Sequence, residues 1–462
     1  MARHSRWRIF LKSDVKTIRK IFGILVISLR AALRAKTVFA LLMLMAACVT
    51  LLPAVIKGDG TPEGDCRILV MYTIGFAFAI LCLATLWAAC ALFAAEIDNQ
   101  NIQLSAVKPV RAFDFWLGKW LALLVLNGML IMAVYSAVYA QIRWKQRQAG
   151  WRESVQLVSR HIARPILPTP REEALETYSF LEKQKALPDG FSKAQVLRTL
   201  ADKARERYTI VNPGDSVEWR FALARPVATN EIVTVRIRFD TEYSTRTQVA
   251  GLCRLAPDVP GAQAVEIPLS DFSLNEIVFD VSCEAFGTTK SISGFNLVFT
   301  HTGDPAKTSA VMLRFRKDVA VLTQGGTFEA NLVRSAIIHW SILALLAAFG
   351  LTLSACFSLP VAVFISTLLL LLVMVGTSVT EVVSQEDEKE WLQRPGIIVS
   401  RMVSTVAQHA IRMDPLDAII NGERIETAPF MDALLWNLLV VPSGFALCGI
   451  LILRRRELAS GD

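Results

Sequence analysis

The sequence predicts a polytopic α-helical membrane protein with six transmembrane helices, both termini in the cytoplasm, and an extracytoplasmic β-sandwich of jelly-roll type inserted between spans three and four. Three observations carry this expectation. Long stretches lack any charged residue, lysine and arginine are unevenly distributed, and one central region alternates with period two. Of 462 residues 53% are hydrophobic and only 19% charged, and that imbalance is concentrated rather than spread evenly.

The charge-free stretches are Val38–Ile56, Ile68–Ala95, Trp120–Ile142, Ser335–Thr380 and Ala433–Leu453. A spanning helix needs roughly 20 apolar residues to cross a hydrocarbon core about 30 Å thick. Four of the stretches suit one span each. The stretch Ser335–Thr380 holds two, with a break at "SACFSLP", where Pro360 starts the second helix. Buried helices of a soluble protein would each keep a solvated face, which several of these runs lack. Orientation follows from the cations. Residues 1–36 hold ten Lys/Arg against Asp14 alone, and Arg454, Arg455 and Arg456 open the C-terminal tail. The loop 57–67 leans acidic, and so does the segment 381–432, with ten Asp/Glu against five Lys/Arg. The positive-inside rule therefore puts both termini in the cytoplasm. The net charge of +8 reflects that topology and anionic lipid rather than nucleic acid, for which no aromatic and basic interleaving is present.

Residues 1–142 then comprise an amphipathic leading helix and spans one to three. In residues 12–36, Phe22, Leu25, Val26, Leu29 and Leu33 recur at helical spacing, opposite Lys12, Lys16, Arg19, Arg30 and Arg34. Such a stripe with basic flanks suits the membrane surface. "IFGILVISL" is followed by Arg30, Arg34 and Lys36 where a signal peptide needs small residues, and "MAAC" lies mid-span. Pro53 bends or ends the first span. Span two is long: 28 uncharged residues give roughly 42 Å of helix.

Residues 143–334 form the extracytoplasmic domain, read as helical over 143–206 and as sandwich over 207–334. "SVEWRFAL", "IVTVRIRFD", "EIVFDVS", "FNLVFTH" and "AVMLRFRK" alternate like strands, separated by "NPGD", "SLN" and "TGDP" turns. Cys253 and Cys283 fall there, where an oxidising compartment permits a disulfide. Cys48, Cys82, Cys90, Cys356 and Cys448 sit in spans as small packing residues. Residues 335–462 supply spans four to six, with the outer segment 381–432 and the basic tail.

The sequence carries no metal, nucleophile or phosphate-binding motif. The five histidines are scattered, and His339 within span four forms a local hydrogen bond or meets water. No GxxxxGK[ST] loop is present, so any ATP is bound by another chain. That makes "EIDNQNIQLSAVKPVRAFDFWLGKW", Glu96–Trp120, the informative stretch. Its first half extends span two into the cytoplasm, and Pro109 interrupts regular helix. Phe113, Trp116, Leu117 and Trp120 then follow i, i+3, i+4, i+7, an aromatic row suited to the headgroup zone, with Arg111 and Lys119 among the headgroups.

This combination resembles permease subunits of type-2 ATP-binding-cassette exporters. The resemblance rests on Glu96 and Asp98, then Lys108-Pro109-Val110-Arg111, then Gly118-Lys119-Trp120, with "SLRAALRAKTVFALL" before span one and "DPLDAIINGERI" and "LILRRREL" at the end. The family's Gly-Thr pair is missing at Asn99–Gln103, and residues 143–334 lie outside the resemblance as an insertion. The resemblance implies an ATP-driven export complex in the bacterial inner membrane. In it a homodimer or heterodimer of permeases is worked by a cytoplasmic ATPase that binds ATP and magnesium. Glu96, Asp98, Gln100, Lys108, Pro109 and Arg111 become its coupling surface, and Phe113, Trp116, Lys119 and Trp120 its interfacial anchor. The other reading is a membrane-anchored binding or mechanical protein that acts through its β-domain without moving a solute.

Overall fold

The computed structural model describes residues 2–34, 36–56, 62–98, 111–147, 158–166, 170–184, 193–241, 248–272, 276–303, 310–313, 318–383 and 415–459. The chain divides into two compact units. One is helical, Met1–Leu157 with Phe328–Asp462, and the other, Val158–Thr327, is built mainly of strands.

Before the insertion the chain forms α1 (Ala2–Arg34), α2 (Lys36–Val55), α3 (Pro62–Ile68), a π-helical turn (Leu69–Ile74), α4 (Gly75–Asp98) and α5 (Ala112–Lys145). The insertion holds β1 (Val158–Ala163), α6 (Pro170–Lys183) and α7 (Lys193–Thr209). The strands β2 (Ile210–Val211), β3 (Ser216–Val227), β4 (Ile232–Arg238), β5 (Asp240–Thr241), β6 (Gln248–Pro257) and β7 (Val265–Phe272) follow. It closes with β8 (Glu276–Ser282), β9 (Ile292–His301), β10 (Val311–Met312) and β11 (Val319–Thr327). The chain returns to the helical unit as α8 (Phe328–Cys356), α9 (Leu359–Val383), α10 (Pro415–Ile420), α11 (Thr427–Leu434), a second π-helical turn (Leu435–Val440) and α12 (Val441–Ala459).

Among the described residues four helices are long and apolar enough to cross a membrane: Gly64–Leu92, Ala112–Lys145, Phe328–Cys356 and Thr427–Leu453. Thr17–Arg34 and Val38–Pro53 meet at a 63° bend and add a fifth if the pair is one span. These helices mark a membrane protein. The charge-free stretches predict six; among the described residues α2 meets α1 at that bend, and α9 supplies the shorter apolar helix Leu359–Leu371. The break between α8 and α9 falls at Phe357–Ser358, before Pro360, with the Ala362 N–H donating to the Ser358 carbonyl at 2.9 Å.

Small residues let α4 and α8 come close: a Cβ on Gly350 would lie 2.7 Å from Ala89 Cβ. Side chains of α2, the first π-helical turn, α4, α5, α8 and α10 share one core that includes Met45, Leu69, Leu81, Leu130, Leu343 and Leu416. Without water in the hydrocarbon region, such packing and interhelical hydrogen bonds hold spans together.

The inserted unit has two antiparallel four-stranded sheets, ordered β1-β11-β4-β8 and β3-β9-β6-β7, and a small sheet β2-β10-β5. Alternation is plain in β3, where Val217, Trp219 and Phe221 are buried and Glu218 and Arg220 exposed. These inward side chains join Phe295, Leu297 and Phe299 of β9 and Val233, Val235 and Ile237 of β4 in one core. Each large side chain buried in this way contributes roughly 1.5–3 kcal/mol relative to exposure.

Two expectations need correction here. Residues 143–206 are not wholly helical, because "VSRHIA" is β1 and pairs antiparallel with β11. Its polar centre hides the strand, which long-range pairing stabilises. Cys253 and Cys283 are both buried free thiols rather than a disulfide. Cys253 lies in β6 of one sheet, whereas Cys283 follows β8 of the other. Burial pushes the Cys253 thiol up to about 12. The Cys283 thiol rises to about 11, through burial and the neighbouring Glu231 carboxylate.

Candidate functional site at the start of α5

The beginning of α5 brings together three helices of the helical unit. Arg111 is its N-cap, extended at φ −74° and ψ 143°, and its carbonyl accepts from the Phe115 N–H at 3.1 Å. Asp114 stands in the first turn, where a carboxylate complements the positive end of the helix dipole. α1 crosses α5 at Gly118. A Cβ there would sit 2.8 Å from both Cβ and Cγ2 of Ile24 and 3.2 Å from the Ile21 carbonyl. Only glycine lets the two backbones approach this closely without displacement. One residue on, the Lys119 ammonium donates to the Leu92 carbonyl of α4 at 2.5 Å and lies 4.5 Å from the centroid of the Phe115 ring. Gly118 and Lys119 thus tie α1, α4 and α5 together at one level.

The aromatic row does not behave as expected. Phe113 is 45% exposed, but Trp116 and Lys119 are only 2% and 1% exposed, and Trp120 is half-buried. Trp116 and Trp120 stack with centroids 6.0 Å apart, and Trp120 Nε1 donates to the Ala344 carbonyl of α8 at 2.9 Å. The Trp116 indole lies against Gly449 of α12, whose added Cβ would be 3.3 Å from Nε1. The spacing i, i+3, i+4, i+7 describes a helix face equally well whether it meets lipid or protein, and here it meets α8 and α12. Lys119 therefore serves as an internal tie rather than a headgroup contact, while Arg111 is exposed.

Of the expected coupling residues, Gln100, Lys108 and Pro109 lie outside the described residues. Glu96 and Asp98 belong to the last turns of α4, and their side chains also lie outside the description. The segment 381–432 is described at α9's end and from 415 onward.

From this site a series of polar contacts pins α5 to the antiparallel α8. After Trp120, Trp340 Nε1 donates to the Leu124 carbonyl at 2.9 Å. Tyr135 Oη then lies 2.7 Å from Ser335 Oγ and 2.5 Å from His339 Nδ1. Finally Arg143 donates to Glu329 and, at 2.9 Å, to Tyr139 Oη. His339 is buried, with its ring centroid 4.0 Å from that of Phe78. The same face of α8 grips the last connection: Asn331 Nδ2 donates to the Glu423 carbonyl at 2.8 Å, and Asn331 Oδ1 accepts from the Ile425 N–H at 2.8 Å.

Sequence reasoning pointed to the start of α5 and missed the seat of α1 upon it. Gly118 reads as part of a Gly-Lys pair, yet a glycine inside a 34-residue apolar helix also signals close approach of another backbone. The Tyr135–Ser335 pairing joins positions 200 residues apart and leaves no local signal. Among the described residues no group of three or more His, Cys, Asp or Glu side chains can hold a metal ion. Compared with protein-family models, with curated proteins and with solved structures, the chain matches none.

Proposed function

We propose that this chain is the membrane-spanning subunit of an ATP-driven export complex, worked by a separate cytoplasmic ATPase through α1 and the elbow before α5. The observation that carries the reading is the three-helix tie: Ile24 seated on Gly118, with Lys119 bound to the Leu92 carbonyl. A push on α1 or on the connection 99–110 is delivered at that level to α4 and α5 together. Arg111 stands exposed there, open to a partner. In this reading the six spans are α2, α3 with α4, α5, α8, α9, and α11 with α12. Both chain ends face the cytoplasm of a bacterial inner membrane, two permeases associate, and ATP and magnesium stay with the ATPase. A jelly-roll fold for the outer domain is supported by the strand order, in which the first strand β1 lies beside the last, β11, and β3 beside β9.

A second reading is favoured by the pinned helix pair. α5 leads along the chain into the inserted unit and α8 leads out of it, and polar contacts join them from Trp120 to Arg143. Such a pair can transmit motion to the outer domain without passing a solute. Purification of the tagged chain from its native membrane tests both readings. An ATPase subunit should accompany it, and Arg111→Glu should lower the stimulation of ATP hydrolysis while the protein still inserts. Absence of any ATPase sinks the export reading and favours a membrane-anchored binding protein acting through its β-domain. An ATPase with strand-domain movement but no solute flux selects the second.

A further inference from the structure

Around its axis α1 presents three successive strips. Ile21, Ile24, Leu25, Ser28 and Ala32 turn toward the helical unit, with Ser28 buried and the others half-buried. Beside them Ile18, Phe22 and Leu33, respectively 65%, 63% and 49% exposed, lie within about 60° of one another at 3.6 residues per turn. Beyond that apolar strip come Arg19, Arg30 and Arg34, all exposed and again within about 60°. Between residues 17 and 34, Ile27 is the one large exposed apolar side chain outside this order. No aspartate or glutamate occurs from residue 15 to residue 56, so the arginines face no local acid along the chain.

We propose that α1 binds anionic phospholipids along its length, their acyl chains over Ile18, Phe22 and Leu33 and their phosphates against Arg19 at one end of the strip and against Arg30 and Arg34, one turn apart, at the other. Charge complementarity selects this occupant: an apolar strip bordered by cations matches a lipid whose acyl chains adjoin a negative headgroup. Geometry agrees, because α1 meets the apolar run Val38–Pro53 of α2 at a 63° bend, so where that run enters a membrane α1 lies mainly along its surface. Guanidinium groups also suit phosphate, which they bind through paired N–H donors. Because the opposite strip rests on Gly118, the lipid sits on the outer side of the three-helix tie. The recognition itself requires no ATPase, so it stands or falls separately from the export reading.

The test uses the full chain in phosphatidylcholine bilayers carrying a trace of spin-labelled phosphatidylglycerol or spin-labelled phosphatidylcholine. The protein should immobilise the anionic label preferentially, and rising salt should erode the preference as screening shortens to about 8 Å and below. A Lys or Arg beside an anionic surface contributes about 1 kcal/mol, or about fivefold in affinity. The combined variant Arg19→Gln, Arg30→Gln, Arg34→Gln should therefore lose most of the preference. The corresponding lysine variant should keep it, and so should Arg220→Gln with Arg254→Gln in the inserted unit. Equal immobilisation of both labels by the unaltered chain overturns the proposal. So does an unchanged preference in the glutamine variant, which would place the recognition elsewhere.

Discussion

Gly118→Ala perturbs the seat of α1 at a single atom. The added Cβ falls 2.8 Å from Ile24 Cβ, an atom fixed to the backbone that cannot rotate away. Two effects oppose each other. Alanine gains about 1 kcal/mol over glycine in a helix interior. Overpacking costs typically about 1–3 kcal/mol when neighbours must move. The net expectation is α1 displaced and the helical unit destabilised by up to about 2 kcal/mol. Ile24→Gly removes the obstructing carbon, so in that background Gly118→Ala should stabilise by about the propensity gain alone. The assay is a double-mutant cycle on thermal unfolding of the detergent-solubilised chain, with proteolysis of α1 as a second readout. The two sites touch, so their effects should be strongly non-additive. Equal effects of Gly118→Ala in both backgrounds, or stabilisation in the unaltered one, would refute the seat.

Gly350→Ala should destabilise the α4–α8 contact by up to about 2 kcal/mol, net of the helix-propensity gain, because the new carbon lies 2.7 Å from Ala89 Cβ; Ala89→Gly should relieve it in the same unfolding assay. Tyr135→Phe leaves Ser335 and His339 without their shared hydroxyl and should cost about 1–3 kcal/mol, whereas Tyr72→Phe, on a more exposed ring, should change little. The inserted unit should lose stability as pH rises above 9. Its buried thiols keep their protons toward about 12 and 11, while the unfolded chain releases them near the ordinary 9.0. The unfolded state then binds fewer protons than the folded state, so each thiol removes about 1.4 kcal/mol per pH unit within that window. Cys253→Ala should flatten the pH dependence of strand unfolding measured by circular dichroism.

Legibility in the sequence followed the range of the interactions. The charge-free runs at Ile68–Ala95 and Trp120–Ile142 mark long helices because burial in lipid demands continuous apolar side chains, a local property. β3, β4, β8 and β9 announce themselves by alternation. β6 and β7 are less evident, since "AGLC" weakens one and Pro268 interrupts the other. β11 carries Gly325 and Gly326 near its end, which weakens its strand signal, and β1 is recognisable only once β11 lies beside it. At the start of α5 the aromatic spacing marks a helix face, but period alone cannot tell a lipid-facing row from one against α8. That distinction belongs to tertiary packing, as does the contact of Ile24 with a glycine 94 positions later.

A photo-reactive amino acid at position 111, introduced into the otherwise unaltered chain in its native membrane, tests the coupling account most directly. Illumination should join the chain to a cytoplasmic ATPase subunit, and Gly118→Val, which unseats α1, should reduce the yield. Cross-links to lipid alone, with the ATPase absent among the products, would contradict it.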